Sequence, residues 1–258
     1  MNATPFPDGG HHVEADDGDQ RNEAVARSTF LSDRCGQCLP RGTGVGSRRM
    51  SDYGKKTAVH RRGSDPFRHG TKPRDFDLEG FWRWTGSDLL SNATRGVLAE
   101  YLVARALGID VSTGVRDEWG AYDLCSPEGV KVEVKSSAYL QSWHQRGPSA
   151  VSFSVRKTRA IDPNTNAVDI AMRRQADVYV FALLAHTDKA TVEPMDLAQW
   201  QFYVVPTFKL DGRARSQHSI SLRSLEAMAP TLQFDALRDA VAGAFKEQLR
   251  ANVPESPG

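Results

Sequence analysis

The stretch that decides the fold of this 258-residue chain spans residues 122–135 and reads YDLCSPEGVKVEVK. In its second half, valines alternate with charged residues. Glu133 and Lys135 therefore point to one face of a predicted strand and the valines to the other. Before that strand, Pro127 suits the first central position of a type I turn, and Gly129 suits the left-handed residue that closes a bulged loop. The stretch therefore predicts a tight β-hairpin.

The length of the loop sets the register of this hairpin. A three-residue loop pairs Ser126 with Val130 and places Asp123 directly opposite Glu133. A loop one residue shorter or longer would send Asp123 to the other face of the sheet. The turn chemistry therefore predicts that two carboxylates and the Lys135 ammonium share one surface.

Two carboxylates that face each other across strands destabilise a sheet by up to about 1 kcal/mol, so their pairing needs a reason. A divalent cation supplies one, because Mg²⁺ binds one or two carboxylates together with waters and substrate phosphates. The predicted ligands are Asp123, Glu133 and the backbone carbonyl of Val134, with Mg²⁺, or Mn²⁺ in its place, as the cofactor. Lys135 can position or deprotonate a water, or neutralise charge on a phosphorane. This equipment suits phosphodiester hydrolysis.

With Asp123 followed after nine residues by Glu133-Val134-Lys135, the chain resembles the PD-(D/E)xK nuclease superfamily over roughly residues 90–185. The resemblance implies a restriction endonuclease-like core, in which a helix, a three-strand meander, a helix and a further strand follow one another. It also implies that Asp123 and Glu133 bind Mg²⁺ and that Lys135 serves the attacking water. One departure is Tyr122, where the motif has proline. Members of the superfamily commonly act as dimers, so a homodimer is expected by resemblance.

Glu100 is a further candidate for the catalytic site. It lies among apolar neighbours in a helix predicted over residues 92–107, where a buried lone carboxylate is costly. By the resemblance, a helix glutamate faces the metal site. The alternative is a glutamate at the helix flank that pairs with Arg95 or Arg105.

DNA is the predicted partner, and its expected contacts follow the motif in sequence. Arginine and lysine side chains would contact phosphates, and aromatic side chains would stack on bases or sugars. The candidates for this nucleic-acid contact are Gln141, Trp143, His144, Arg146, Arg156, Lys157, Arg159, Arg173 and Arg174. Each is alternatively an ordinary surface or core residue.

The coarse pattern of elements predicts an α/β fold with a mixed sheet flanked by helices. Strands are expected at 119–125, 130–136, 151–155, 177–184 and 201–205, helical turns near 166–174, and an amphipathic helix at 235–249. The expected apolar face of the first helix consists of Val97, Leu98, Tyr101, Leu102 and Leu107.

The N-terminal part of the chain differs in composition from the rest. Residues 1–33 carry a net charge of −5 and residues 34–74 a net charge of +9, and large apolar residues are scarce in both. We therefore expect a disordered tail over residues 1–75 and a nuclease domain over residues 76–258 with a C-terminal helical extension. The basic half could hold phosphates without sequence preference.

Composition narrows the remaining possibilities. No apolar run approaches the ~20 residues of a membrane helix, and no secretory signal is evident, so no membrane partner is expected. Three cysteines favour a reducing, cytoplasmic setting. The favoured function is a metal-dependent DNA endonuclease. The alternatives are a non-catalytic module of the same fold that binds nucleic acid or a partner, and a metal hydrolase acting on a small phosphate ester.

Overall fold

A four-stranded mixed sheet forms the centre of the α/β fold in the computed structural model, which describes residues 53–214 and 216–253. In spatial order its strands are β3 (Leu124–Cys125), β4 (Lys131–Ala138), β6 (Val178–Leu184) and β7 (Trp200–Pro206). Strands β4 and β6 are parallel, and the two outer pairings are antiparallel. All seven residues of β6 are buried, which confirms the expectation from its unbroken apolar run.

The other elements surround this sheet. They are β1 (Pro66–His69), β2 (Lys72–Asp77), α1 (Leu78–Gly86), α2 (Asn92–Ala106), β5 (Ser152–Ser154), α3 (Thr207–Asp211), β8 (Ser219–Ser221), α4 (Leu222–Glu226) and α5 (Leu237–Ala251). Short 3₁₀ turns precede β7 and α5. The expected helices at 92–107 and 235–249 are both present, each with a boundary shifted by one or two residues.

Two apolar layers cover the two faces of the sheet. On one face, α2 and α5 pack against the side chains of Val132, Val180 and Phe202. On the other face, the antiparallel β5–β8 pair, α3 and α4 pack against Phe181 and Tyr203. Burying one such large side chain contributes about 1.5–3 kcal/mol, so these layers fix the position of β4 within the sheet.

A β-hairpin over residues 66–77 corrects the prediction that the chain lacks regular structure up to residue 75. Gly70 has a φ of +64° in the turn, and His69 pairs with Lys72. The count of apolar residues did not predict this hairpin because its strands are exposed, and the tight turn is the local feature that favours it. Residues 53–65 of the predicted tail form no helix or strand, and residues 1–52 lie outside the described residues.

The helical turns expected near residues 166–174 are absent, and the helix prediction there was wrong. The segment is an irregular hairpin in which Thr158 bridges Arg173 and Ile161 bridges Val168. Asp162 starts its turn by accepting a 2.8 Å hydrogen bond from the Asn164 N–H. Asp-Pro-Asn turn chemistry therefore overrides the helical tendency of the segment.

The three-strand meander implied by the resemblance is also altered. The segment expected as its third strand, β5, pairs with β8 in a separate two-stranded sheet. Strand β4 instead pairs in parallel with β6. The order of elements therefore differs from the expected restriction endonuclease-like core at this point.

The predicted apolar face of α2 is confirmed in part: Leu102 and Leu107 are buried and Leu98 packs against the core. Ala99, Leu102 and Val103 face the core, whereas Val97 and Tyr101 are exposed. Within residues 53–214 and 216–253, no helix has the length and apolar character needed to span a membrane.

Candidate active site

The hairpin between β3 and β4 has the predicted register. Leu124 pairs with Val132 and Cys125 with Lys131, so Asp123 lies opposite Glu133. The Gly129 N–H donates to the Ser126 carbonyl at 2.9 Å, and Gly129 has a φ of +84°. The three-residue loop therefore brings the two carboxylates to one face of the sheet.

Strand β3 is shorter than expected, because residues 119–123 form turns instead of a strand. Asp123 nevertheless completes the edge of the sheet, because its Oδ2 accepts a 2.7 Å hydrogen bond from the backbone N–H of Val134. The N–H and C=O of one strand residue point to the same side, so the Val134 carbonyl also points toward Asp123. This geometry is consistent with the predicted use of that carbonyl as a ligand.

The Asp123 carboxyl is electrostatically unusual. Burial, and next the charge of Glu133, raise its pKa from 3.8 to about 6, while Lys135 and the Val134 hydrogen bond oppose the rise. Glu100 adds a smaller upward contribution. Burial is thus the main cause of the raised pKa of Asp123, and the negative charges of Glu133 and Glu100 add to it.

Lys135 lies on the same strand face as Glu133 and donates a 2.5 Å hydrogen bond to its Oε1. Both side chains are partly buried. On the adjacent strand β6, Tyr179 pairs with Glu133 in register. The pKa of Tyr179 is raised by burial and by the charge of Glu133, so its hydroxyl stays neutral beside the acidic pair.

The side chain of Glu100, which is only 13% exposed, belongs to this acidic group and has a cationic partner that the sequence did not predict. Arg116 holds its carboxylate in a bidentate pair, through Nε and through an Nη2 contact of 2.8 Å. This pair, together with the charge of Asp123, raises the pKa of the Arg116 guanidinium. Neither Arg95 nor Arg105 pairs with Glu100. No pattern singles out Arg116, since it lies in an irregular loop 16 residues after Glu100.

A groove of about 360 Å³ opens beside Asp123. Its lining combines charged side chains with exposed apolar ones such as those of Val97 and Tyr101; the charged residues are Glu100, Asp110, Arg116, Asp117 and Asp123. The two residues that the predicted helix face had placed in the core are thus groove walls. The groove is open next to the Asp123 carboxylate.

The predicted nucleic-acid contacts differ widely in their exposure. Trp143, His144, Arg146, Arg156, Arg159 and Arg173 are exposed. Arg173 pairs with Asp169 at 3.2 Å, and Lys157 is partly buried and pairs with Asp211 at 3.2 Å. The exposed group remains a set of predicted contacts with DNA.

Gln141 and Arg174 are buried and are used inside the protein. Gln141 is 7% exposed, accepts a 3.3 Å hydrogen bond from buried Arg95 and donates to the Ala138 carbonyl. Arg174 donates to the Val155 carbonyl at 3.0 Å and to Asp211 at 2.5 Å. Neither side chain is available to a bound strand, so the structure does not support their predicted role in DNA contact.

The side chains at this site are of the type that binds the predicted Mg²⁺. Among residues 53–214 and 216–253, no three His, Cys, Asp or Glu side chains form a ready metal cage. Mg²⁺ needs no such cage, because it retains waters and takes substrate phosphates with one or two carboxylates. Asp123 and Glu133 supply two, and their mutual repulsion is what a dication would relieve.

Comparison with known proteins adds one finding. The family model described as bacteriophage T4 endonuclease IV matches residues 83–223, more than half of the chain. The match includes α2, the β3–β4 hairpin and all four strands of the central sheet. No curated protein matches the chain.

Proposed function

The chain belongs to the bacteriophage T4 endonuclease IV family, and from this premise we propose that it is a DNA endonuclease whose active site is the Asp123, Glu133 and Lys135 face. The observation that carries the assignment is the register of the β3–β4 hairpin, which places two acids opposite each other beside a lysine. Like charges in this position weaken a sheet unless they serve a ligand.

The proposed cofactor is Mg²⁺ or Mn²⁺, held by Asp123, Glu133 and the Val134 carbonyl. When bound, such an ion supplies an acidified water and neutralises charge on the phosphate. The support is the pKa of Asp123, which burial and the charge of Glu133 raise to about 6. A dication beside the two carboxylates would reverse that effect.

Lys135 is proposed to act directly on the attacking water or on the phosphate. Its amino group forms an ion pair with Glu133 and can donate to the attacking water or to a phosphate oxygen. Glu100 adds negative charge near Asp123, and Arg116 is a positioning residue that holds Glu100. The substrate strand would enter along the groove lined by Val97 and Tyr101. By the resemblance, a homodimer remains part of this proposal.

The test is cleavage of single-stranded, duplex and branched DNA with Mg²⁺ or Mn²⁺, measured under single-turnover conditions at saturating protein. Lys135→Ala is expected to slow cleavage by about 10²–10⁴-fold, because it removes the proton donor from the site. The matched control is Lys131→Ala, on the same strand and the same face, whose Nζ lies 5.7 Å from the centroid of the Tyr122 ring. This control should stay within a few-fold of wild type.

Equal losses in the two lysine variants would contradict the assignment of Lys135. If no form of DNA is cleaved and calorimetry detects no heat of Mg²⁺ binding, the proposal that the chain is a nuclease is contradicted. That combined result would instead favour a non-catalytic module of the same fold.

A further inference from the structure

The segment 61–86, here called the hairpin–helix segment, has an unusually exposed apolar surface. It consists of a turn at 62–65, the β1–β2 hairpin and α1. Its five large aromatic side chains are all exposed, and that of Trp84 is 85% exposed; the five are Phe67, Phe76, Phe81, Trp82 and Trp84. A cluster of exposed aromatic side chains on a small element marks a surface that binds something.

The segment is ordered by its own hydrogen bonds. Asp65 accepts from the Arg62 N–H at 3.2 Å, and the Glu79 N–H donates to the Gly63 carbonyl at 2.8 Å. Asp77 caps α1 by accepting from the Gly80 N–H at 2.9 Å. The aromatic side chains are therefore presented on a defined backbone.

The acidic and basic side chains of the segment differ in how many have partners within the protein. The carboxylates of Asp65 and Asp77 bond to backbone, and Glu79 pairs with Arg83. Five exposed cations have no hydrogen bond or ion pair from their side chains to any partner within residues 53–214 and 216–253; they are Arg61, Arg62, Arg68, Lys72 and Arg74. Of the four acids of the segment, only Asp75 is exposed without a partner among the described residues, so the five available cations exceed the available acids by four.

Some of these cationic side chains lie beside an aromatic ring. Arg61, Arg68 and Phe67 line a second groove, of about 460 Å³. The ring of Phe67 lies 5.0 Å from that of Phe76, with an angle of 31° between their planes. Two rings beside unpaired guanidinium groups form the combination that holds a nucleic-acid strand, since rings stack on bases and guanidinium groups contact phosphates.

We propose that the hairpin–helix segment binds a DNA strand with unpaired bases, with Phe67 and Phe76 stacking on bases and Arg68 and Arg74 contacting phosphates. The choice of DNA rests on the proposed nuclease function. Unpaired bases are required because a paired base does not expose its face to stacking. The family match begins at residue 83, so most of this surface lies outside the matched part of the chain.

The test measures binding of the full-length chain to a fluorescent single-stranded 20-mer and to its duplex, with EDTA present so that cleavage cannot interfere. Phe67→Ala with Phe76→Ala is expected to weaken single-strand binding by about tenfold or more, because base stacking on one ring contributes about 1–3 kcal/mol. Arg68→Ala with Arg74→Ala should lower the slope of log K against log salt by about 1.4 for two lost phosphate contacts.

The control variants remove similar groups elsewhere. Lys246→Ala with Arg250→Ala deletes two exposed cations of α5, and Ile170→Ala deletes an exposed apolar side chain. Both should bind the 20-mer within twofold of wild type. Circular dichroism would confirm that every variant is folded.

Three results would overturn the proposal. They are unchanged single-strand binding in both segment variants, equal losses in the controls, or a loss confined to duplex DNA. Sedimentation showing a dimer that Phe76→Ala dissociates would assign the surface to a second copy of the chain. Weakened binding in the segment variants, with no nuclease activity in the wild type, would leave this proposal standing while the proposed function fails.

Discussion

Asp123 is a residue whose surroundings disfavour its own charge. Burial and the facing Glu133 raise its pKa from 3.8 to about 6. The folded chain therefore holds a proton, over roughly pH 4–6, that the unfolded chain has already lost. By linkage, the contribution of Asp123 to the free energy of unfolding falls as the pH rises through that window.

Asp123→Asn is therefore expected to make the metal-free protein more stable at pH 8. The gain in the free energy of unfolding should be about 1–2 kcal/mol, after a discount for partial exposure, because the substitution removes a disfavoured charge and keeps a side-chain oxygen for the Val134 N–H. Urea unfolding at pH 8 and pH 4 would measure it. The difference should vanish at pH 4, and a difference independent of pH would contradict this account.

Arg116 should control the acid limb of the cleavage reaction. Arg116→Ala leaves the Glu100 carboxylate without its bidentate partner near Asp123. The pKa of Asp123 should rise further, so the acid limb of the pH–rate profile should move up by roughly 0.5–1 pH unit. Arg116→Lys should restore part of the shift. Arg105→Ala removes an exposed cation of α2 that does not pair with Glu100, and should leave the profile unmoved.

At the scale of single elements, the β3–β4 turn matters most, because its length decides which face carries Asp123. Gly129 has a φ of +84° and nothing within 4 Å of an added Cβ, so a substitution there acts through the backbone alone. Gly129→Ala should lower the free energy of unfolding by about 1 kcal/mol, and Gly129→Asn by less, because asparagine tolerates this conformation. Thermal melts would measure both. Cleavage per folded molecule should stay near wild type, and a large loss would show that the register had slipped.

Elements governed by local chemistry are the ones that the sequence predicted well. The β3–β4 register follows from the three-residue loop between Ser126 and Val130. The buried strand β6 follows from a continuous apolar run. The helical turns predicted near residues 166–174 were wrong because the turn at Asp162 makes the chain fold back as an irregular hairpin. The face of α2 was predicted correctly for Leu102 and Leu107 but not for Val97 and Tyr101, because the helical period alone does not show which side of the helix meets the sheet.

At the scale of the whole molecule, Arg174 joins three parts of the chain. Its fully buried side chain bonds to the Val155 carbonyl after β5, to Asp211 in α3 and to Gln217 before β8. Arg174→Met should lower the free energy of unfolding by about 3 kcal/mol or more, because it leaves these groups without their charged partner.

The neighbouring Arg173→Ala is the matched control for Arg174. The exposed pair of Arg173 with Asp169 contributes little, so this change should cost less than about 1 kcal/mol in urea unfolding. Equal costs in the two variants would contradict the structural role of Arg174. The sequence offered both arginines as contacts to DNA, and only the tertiary packing separates them. Gln141 is a similar case, since it is buried and accepts a hydrogen bond from Arg95, which lies 46 residues away in sequence.

The parallel pairing of β4 with β6 has a kinetic consequence. Val132 pairs with Val178, and the 45 residues between them must first be gathered into a closed loop. Asp123 and Glu133, by contrast, face each other across a hairpin of only eleven residues. In a nascent chain emerging from the ribosome, the acidic pair should meet in water before β6 has been synthesised. Its desolvation comes only in the slower, long-range closing of the sheet.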